Sequence, residues 1–448
     1  MALKHPEFFF WLFATMLFNP GDFLGKYLGK ASLGGFSYMD VFFVLCFVPL
    51  LSHKINTSVI FKDQFIKKII KVQLVFLVYH LIIHGLLVPN HDFAFYIRNF
   101  IMRERHTIFY FLLIIPTYII AVHNMRYFYY MIFYSTAIVL FMFFVSLFTG
   151  LNLIEVHTMS RWSGEDVNRI YFAGWGFLQF VIPIGLAVYL LRIHIHFKRI
   201  LYLTAILALI AVLLTLTKTN YIGTAAYIFI TIYLISKLFN VGAVRISNKI
   251  IWTVMAFLIS SSFLFPEYLG YGERAARDIY GVFTTGERSD GTMEGRLVNQ
   301  VPAQLLVIKK YPIFGLGAKS KIYNEGYGGY RSSDLDVTDL PILGHIMQYG
   351  FVGISLYSLF YFNIIIVIRR LYFNLKNQNK NILLSNYKLE ILLAILILTY
   401  FVNHFVFRIP YLFKELTTGR ISIALMAGAM CALNYTFTNQ PIRKTNNA

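Results

Sequence analysis

Four arginines, Arg161, Arg169, Arg288 and Arg296, fall in polar stretches of an otherwise apolar chain. Arginine is the side chain suited to holding a pyrophosphate, because its planar fork binds phosphate oxygens in pairs and its charge survives any working pH. The same residues could instead pair with neighbouring acids or touch lipid head groups. Lys218, in "LTLTKTNYIGTAAY", either contacts the same phosphate or snorkels to an interface. Acids able to take a proton from an acceptor hydroxyl stand in "YRSSDLDVTDLPILGHIMQYGFVG", which holds Asp334, Asp336 and Asp339. Thr338 or Asp339 would equally well cap a helix opening with Leu340 and Pro341, and the two roles are compatible. His345, about one turn into that helix, is either a base or a hydrogen-bonding residue of the core.

Other candidates are weaker. His80 and His84 share a helix face, but a zinc site needs further ligands that the sequence does not indicate, so they read as packed or lipid-facing. Asn403 and His404, followed by Arg408, stand at the end of an apolar run where they could line a cavity. Cys46 and Cys431 sit inside apolar runs and read as small core residues.

The elements that must position these groups are membrane helices. The chain of 448 residues is 58% hydrophobic, 18% aromatic and only 14% charged, with a mean hydropathy of +0.62. A soluble domain carries about 25% charge. Apolar runs long enough to cross about 30 Å of hydrocarbon recur and predict about twelve helical spans, hence an all-α integral membrane protein. The predicted spans are 6–19, 38–52, 71–88, 107–122, 128–149, 170–191, 199–217, 220–237, 249–265, 341–368, 388–407 and 419–436. The first is expected to be a retained helix. The connecting segments "SHKINTSVIFKDQFIKKIIK", "RIHIHFKR" and "RRLYFNLKNQNKNILLSNYK" and the tail "PIRKTNNA" are basic, which places them and both termini in the cytoplasm.

The opposite side is mixed in charge. Lys and Arg divide evenly between the two sides, whereas of the 21 acids only Glu7, Asp63 and Glu390 fall on the cytoplasmic one. External arginines gather in "FYIRNFIMRERH", in "SRWSGEDVNRIYFAG" and in a segment of about 75 residues, 266–340, between the ninth and tenth spans; a connection so long is usually functional. Within it Leu297, Val301, Leu305 and Ile308 recur at helical spacing, predicting a short amphipathic helix on the bilayer or on the bundle. Pro302 falls in its first turn, Lys309 and Lys310 close it, and "PIFGLG" supplies the turn that ends it.

No Gly-rich nucleotide loop and no paired carboxylates for a metal are visible. A reaction on the outer face would have to draw its energy from its own substrate, and a lipid pyrophosphate leaving group meets that need. Inverted halves with matching broken helices, the mark of many secondary transporters, are not evident.

In order and spacing over roughly residues 150–370, the chain resembles the O-antigen polymerase and O-antigen ligase family of bacterial envelope enzymes. The resemblance rests on Gly295-Arg296, on Pro312, Gly315 and Gly317, on "TDLPILGHIMQYGFVG" with Gly350 and Gly353, and on the earlier loop with Arg161 and Arg169. Ligases of that family carry His-Asn where this chain has Asp339-Leu340, and Ser-Arg where it has Thr219-Asn220. The first departure favours a polymerase-like member.

The resemblance implies one polytopic membrane domain over 1–448 with 266–340 as a periplasmic loop. It also implies a metal-independent glycosyltransferase of the inner membrane, without cofactor. Its substrates would be glycans on undecaprenyl pyrophosphate, and its partners membrane lipids, a chain-length regulator and a flippase, with no nucleic acid. Arg161, Arg169, Lys218, Arg288 and Arg296 would bind pyrophosphate, and Asp339, or else His345 or Asp336, would act as base. Ligation of glycan to lipid A core is the alternative, and a flippase or transporter the more distant one.

Overall fold

The computed structural model describes residues 5–18, 38–79, 109–151, 153–154, 156–160, 168–172, 175–214, 218–240, 299–316, 328–330, 335, 340–407 and 417–439. These residues are almost wholly helical. Helices run α1 (Pro6–Phe18), α2 (Tyr38–Leu45), α3 (Gln64–Val78), α4 (Ile114–His123) and α5 (Arg126–Thr149). They continue as α6 (Trp175–Leu190), α7 (Lys198–Leu214), α8 (Lys218–Phe239), α9 (Val301–Lys310), α10 (Pro341–Asn377), α11 (Lys380–Asn386), α12 (Lys388–Phe407) and α13 (Thr417–Asn439). Every predicted span except 249–265, which lies outside the described residues, overlaps a helix. Among the described residues four helices are long and apolar enough to cross a membrane: Arg126–Thr149, Ile342–Asn377, Lys388–Val406 and Ile421–Asn439.

The outer faces of these helices are as greasy as their inner ones. Ile138, Phe141 and Phe148 on α5 and Leu359, Phe362 and Ile365 on α10 are exposed. Each such side chain left in water would forfeit about 1.5–3 kcal/mol, a loss that hydrocarbon removes. At the centre, α12 and α13 are apolar all round and buried on every side over most of their length, as helices enclosed by other helices must be. Small residues let the backbones close up: a Cβ at Gly428 of α13 would sit 2.7 Å from Cβ of Thr117 in α4. Single polar pairs cross the core, Thr231 with Thr399 at 3.2 Å and Tyr400 with Ser422 at 3.0 Å.

Two expectations change. The helix of the third span begins at Gln64, inside the basic segment, because Asp63 caps it by accepting a hydrogen bond from the Phe65 N–H at 2.8 Å. The span expected at 170–191 begins at Trp175, because residues 168–172 pair instead as a strand. β1 (Val156–Ser160) and β2 (Asn168–Phe172) form an antiparallel ladder with Ser160 opposite Asn168 and Met159 opposite Arg169. Their alternating β-branched and aromatic residues suit a short ladder.

Long-range contacts sort the helix ends into two groups. Glu7 meets His123 at 2.9 Å, and Gln378 donates to the Phe437 carbonyl at 3.0 Å. Asn374 donates to Asn434 at 3.2 Å, while the Tyr79 hydroxyl, at the far end of α3, reaches the Tyr349 carbonyl at 2.6 Å. The ends joined to the basic segments therefore lie together, here called the Arg370 end, and the opposite set forms the His345 end. Cys46 and Cys431 are buried and free.

Candidate functional site

The site is assembled at the His345 end from α3, α9, the turn after α9, and the first part of α10. α9 has Pro302 in its opening turn and Lys309 and Lys310 in its last, as the sequence predicts. Its buried face differs from the predicted stripe. Ala303, Gln304, Val307 and Ile308 face inward, whereas Leu305 is 48% and Leu306 40% exposed. A glutamine on the buried face of α9 marks the surface receiving it as partly polar, and Leu306 lies against Gly328.

That surface is a break in α10. Gly350 adopts φ 64° and ψ −176°, a conformation no helix contains, so the hydrogen-bond ladder is interrupted there. Loose backbone groups inside a membrane helix cost several kcal/mol each unless satisfied internally. The turn after α9 satisfies them. Leu316 donates to the Met347 carbonyl at 2.9 Å, Phe351 donates to Pro312 at 2.9 Å, and Val352 donates to Ile313 at 3.2 Å. The Tyr79 hydroxyl bridges both partners, lying 2.6 Å from the Tyr349 carbonyl and 3.3 Å from that of Phe314.

The approach is close enough to exclude side chains. Gly315, at φ +70°, bears no Cβ; one built there would stand 2.5 Å from the Gly350 nitrogen, and one at Gly350 would run into the Ile313 carbonyl. The glycines of "PIFGLG" and "QYGFVG" are thus two halves of one backbone joint.

His345 lies one turn before the break, with none of its surface exposed. Its ring centroid is 5.4 Å from that of Tyr349 and 5.8 Å from that of Tyr357, and Phe76 of α3 meets Tyr357 edge-on at 4.4 Å. Gln348, three residues on, is also buried, and Gln304 is buried on the α9 face packed against α10. Below them a small apolar core of Val307, Ile308, Leu316, Leu335 and Met347 clamps α9, the turn and α10 together. Sequence reading missed Gln304, Gln348 and Tyr79. The available signal was a glutamine interrupting the apolar rows of α9 and α10.

Asp336 and Asp339 lie outside the described residues. Leu335, next to the first, packs in the small core, and Leu340, next to the second, holds the N-cap position of α10 with no side-chain cap bond. The capping candidates Thr338 and Asp339 lie outside the described residues, and Pro341 starts the helix directly after Leu340. Lys218 is the first residue of α8, and residues 215–217, between α7 and α8, lie outside the described residues. Arg169 occupies the β2 position beside the last ladder pair before the 161–167 connection, and the ladder abuts α5. Arg161, Arg288, Arg296, His80 and His84 lie outside the described residues. Asn403 is fully buried on α12, and among the described residues neither polar atom of its side chain has a hydrogen-bond partner. Its neighbour His404 holds the Tyr400 carbonyl at 2.8 Å through Nδ1.

His345 thus stands in one wedge, Arg169 on a hairpin against α5, and Lys218 at the head of α8, all in segments that the sequence assigns to one side. The arrangement can hold an imidazole in a fixed, water-poor setting beside a helix start, where the helix dipole favours anions. No family model matches the chain, and no curated protein matches it.

Proposed function

We propose that the chain is an inner-membrane glycosyltransferase of about twelve spans that polymerises oligosaccharide repeat units carried on undecaprenyl pyrophosphate, working at the periplasmic face with both termini cytoplasmic. The observation that supports this reading most is the joint between the glycine turn of the large loop and the broken start of α10. It ties the segment that follows Arg296 to the helix that follows Asp339, the two residues the reaction needs together. In this reading Arg161, Arg169, Lys218, Arg288 and Arg296 hold the donor pyrophosphate and stabilise the charge that grows as it leaves. Asp339, with Asp336 as the other carboxylate, takes the proton of the acceptor hydroxyl. His345, enclosed at the start of α10, is the other candidate base in this reading.

The test is complementation of a deletion strain, reading glycan length on gels. Arg296→Ala and Asp339→Asn, present at normal level, should each cut polymer yield by at least about 100-fold and leave single repeat units. Full-length polysaccharide from both variants would show the site assignment wrong.

One observation favours a different class. A discontinuous helix such as α10 is the device by which many transporters build a binding site. The deletion strain separates the readings: without a polymerase one repeat unit still reaches the outer lipid, without a flippase none does, and without a ligase long chains stay on the carrier.

A further inference from the structure

At the Arg370 end, far along α10 from His345, α3, α10 and α13 enclose a cavity of about 680 Å³. Lys62, Lys68 and Arg370 line it together with one carboxylate, Asp63. One oxygen of that carboxylate, Oδ1, accepts from the Phe65 N–H at 2.8 Å at the positive start of α3. Among the described residues none of the three cations is paired with an acid. The lining therefore carries three cations against one carboxylate and is positive on balance.

The cations are also placed, not merely gathered. The Arg370 guanidinium lies over the Phe65 ring at 4.2 Å, a cation–π contact that holds it at the cavity wall. On the α13 side the wall is the buried Asn434, whose Oδ1 is held by Asn374 at 3.2 Å. Further into the membrane the same helix faces turn apolar and exposed, with Val75 two turns from Lys68 on α3 and Leu359 three turns from Arg370 on α10. A polar, positive chamber above an open apolar strip matches one molecule with a phosphate head and hydrocarbon tails.

We propose that this cavity binds the phosphate head group of an anionic glycerophospholipid of the adjacent leaflet, its acyl chains lying along Val75 and Leu359. Basic pockets between membrane helices at the cytoplasmic surface are suited to such head groups, and each cation adds about fivefold to affinity. The inference does not depend on the glycosyltransferase reading.

The experiment uses delipidated full-length protein in neutral detergent and native mass spectrometry during titration with phosphatidylglycerol, phosphatidylethanolamine or inorganic phosphate. Phosphatidylglycerol should be retained in preference to phosphatidylethanolamine, and excess inorganic phosphate should not displace it. Lys68→Ala with Arg370→Ala should weaken retention about 25-fold, and Arg369→Ala, the same charge change outside the cavity, should leave it unaltered. If the double variant does not fold, the exposed Lys62→Ala should still give about a fivefold loss. Equal retention of both lipids, displacement by phosphate, no loss in the cavity variants, or an equal loss in Arg369→Ala would each overturn the proposal.

Discussion

At the His345 end α10 is broken and its loose backbone groups are bonded to the backbone of another segment; at the Arg370 end it is continuous, and the polar groups are side chains around a cavity. The first arrangement is dry, short-range and dependent on two glycines. The second is roomy and dependent on net charge. One helix thus carries a joint specified by shape at one end and a chamber specified by electrostatics at the other. Substitutions should separate them, since a methyl group destroys the first and barely touches the second.

The largest effect belongs to Gly350→Val. A side chain at φ 64° and ψ −176°, a region essentially reserved for glycine, costs about 1–3 kcal/mol from backbone sterics alone. Its Cβ also meets the Ile313 carbonyl, so the turn must leave and expose the N–H and C=O groups it satisfied. The protein should fail to accumulate in membranes, or should lose its folded peak on size exclusion. A variant of normal abundance and melting temperature would mean that the break is not the joint described.

Tyr79→Phe attacks the same joint by one hydrogen bond. It keeps the ring against Gly353 and removes the hydroxyl that meets Tyr349 and Phe314. Leaving a buried carbonyl unsatisfied costs about 1–3 kcal/mol. The melting temperature in detergent should fall by a few degrees, with lipid retention at the Arg370 end unchanged.

Much of this was legible in the sequence, for local reasons. Apolar run lengths locate the helices, and Pro302, Lys309-Lys310 and "PIFGLG" mark where α9 starts and stops. What was illegible is tertiary. Leu297, Val301, Leu305 and Ile308 satisfy the helical period, yet α9 buries Gln304 and exposes Leu305, because the partner surface is a broken helix with polar backbone. Gly350 and Gly353 read as a spaced pair, and only the packing distinguishes the residue that breaks the helix from the one that lets Tyr79 approach. The β1–β2 ladder escaped because five-residue strands merge with the apolar run after them. Of the candidate site, His345 is placed in full and Arg169 and Lys218 in backbone only. Arg161 falls in the earlier polar stretch and Arg288, Arg296 and the two carboxylates in the long segment 266–340, all outside the described residues.

The smallest effect divides the two roles of Asp63, which caps α3 and places a negative charge beside the cavity. Asp63→Ala removes both: the Phe65 N–H loses its acceptor at about 1 kcal/mol, and the cavity becomes more positive. Asp63→Asn keeps the capping oxygen and removes only the charge, so stability should stay within about 0.5 kcal/mol of the parent. Both variants should retain anionic lipid at least as well as the parent, since neither removes a cation. Only the alanine variant should melt earlier, by a degree or two. Equal melting of the two would mean that the cap contributes little and that α3 begins where it does through the packing of Ile66 and Ile69 alone. A fall in lipid retention in the asparagine variant would show that the carboxylate orients Lys62 or Lys68, and the chamber would then be specified by an ion-pair geometry instead of by its net charge.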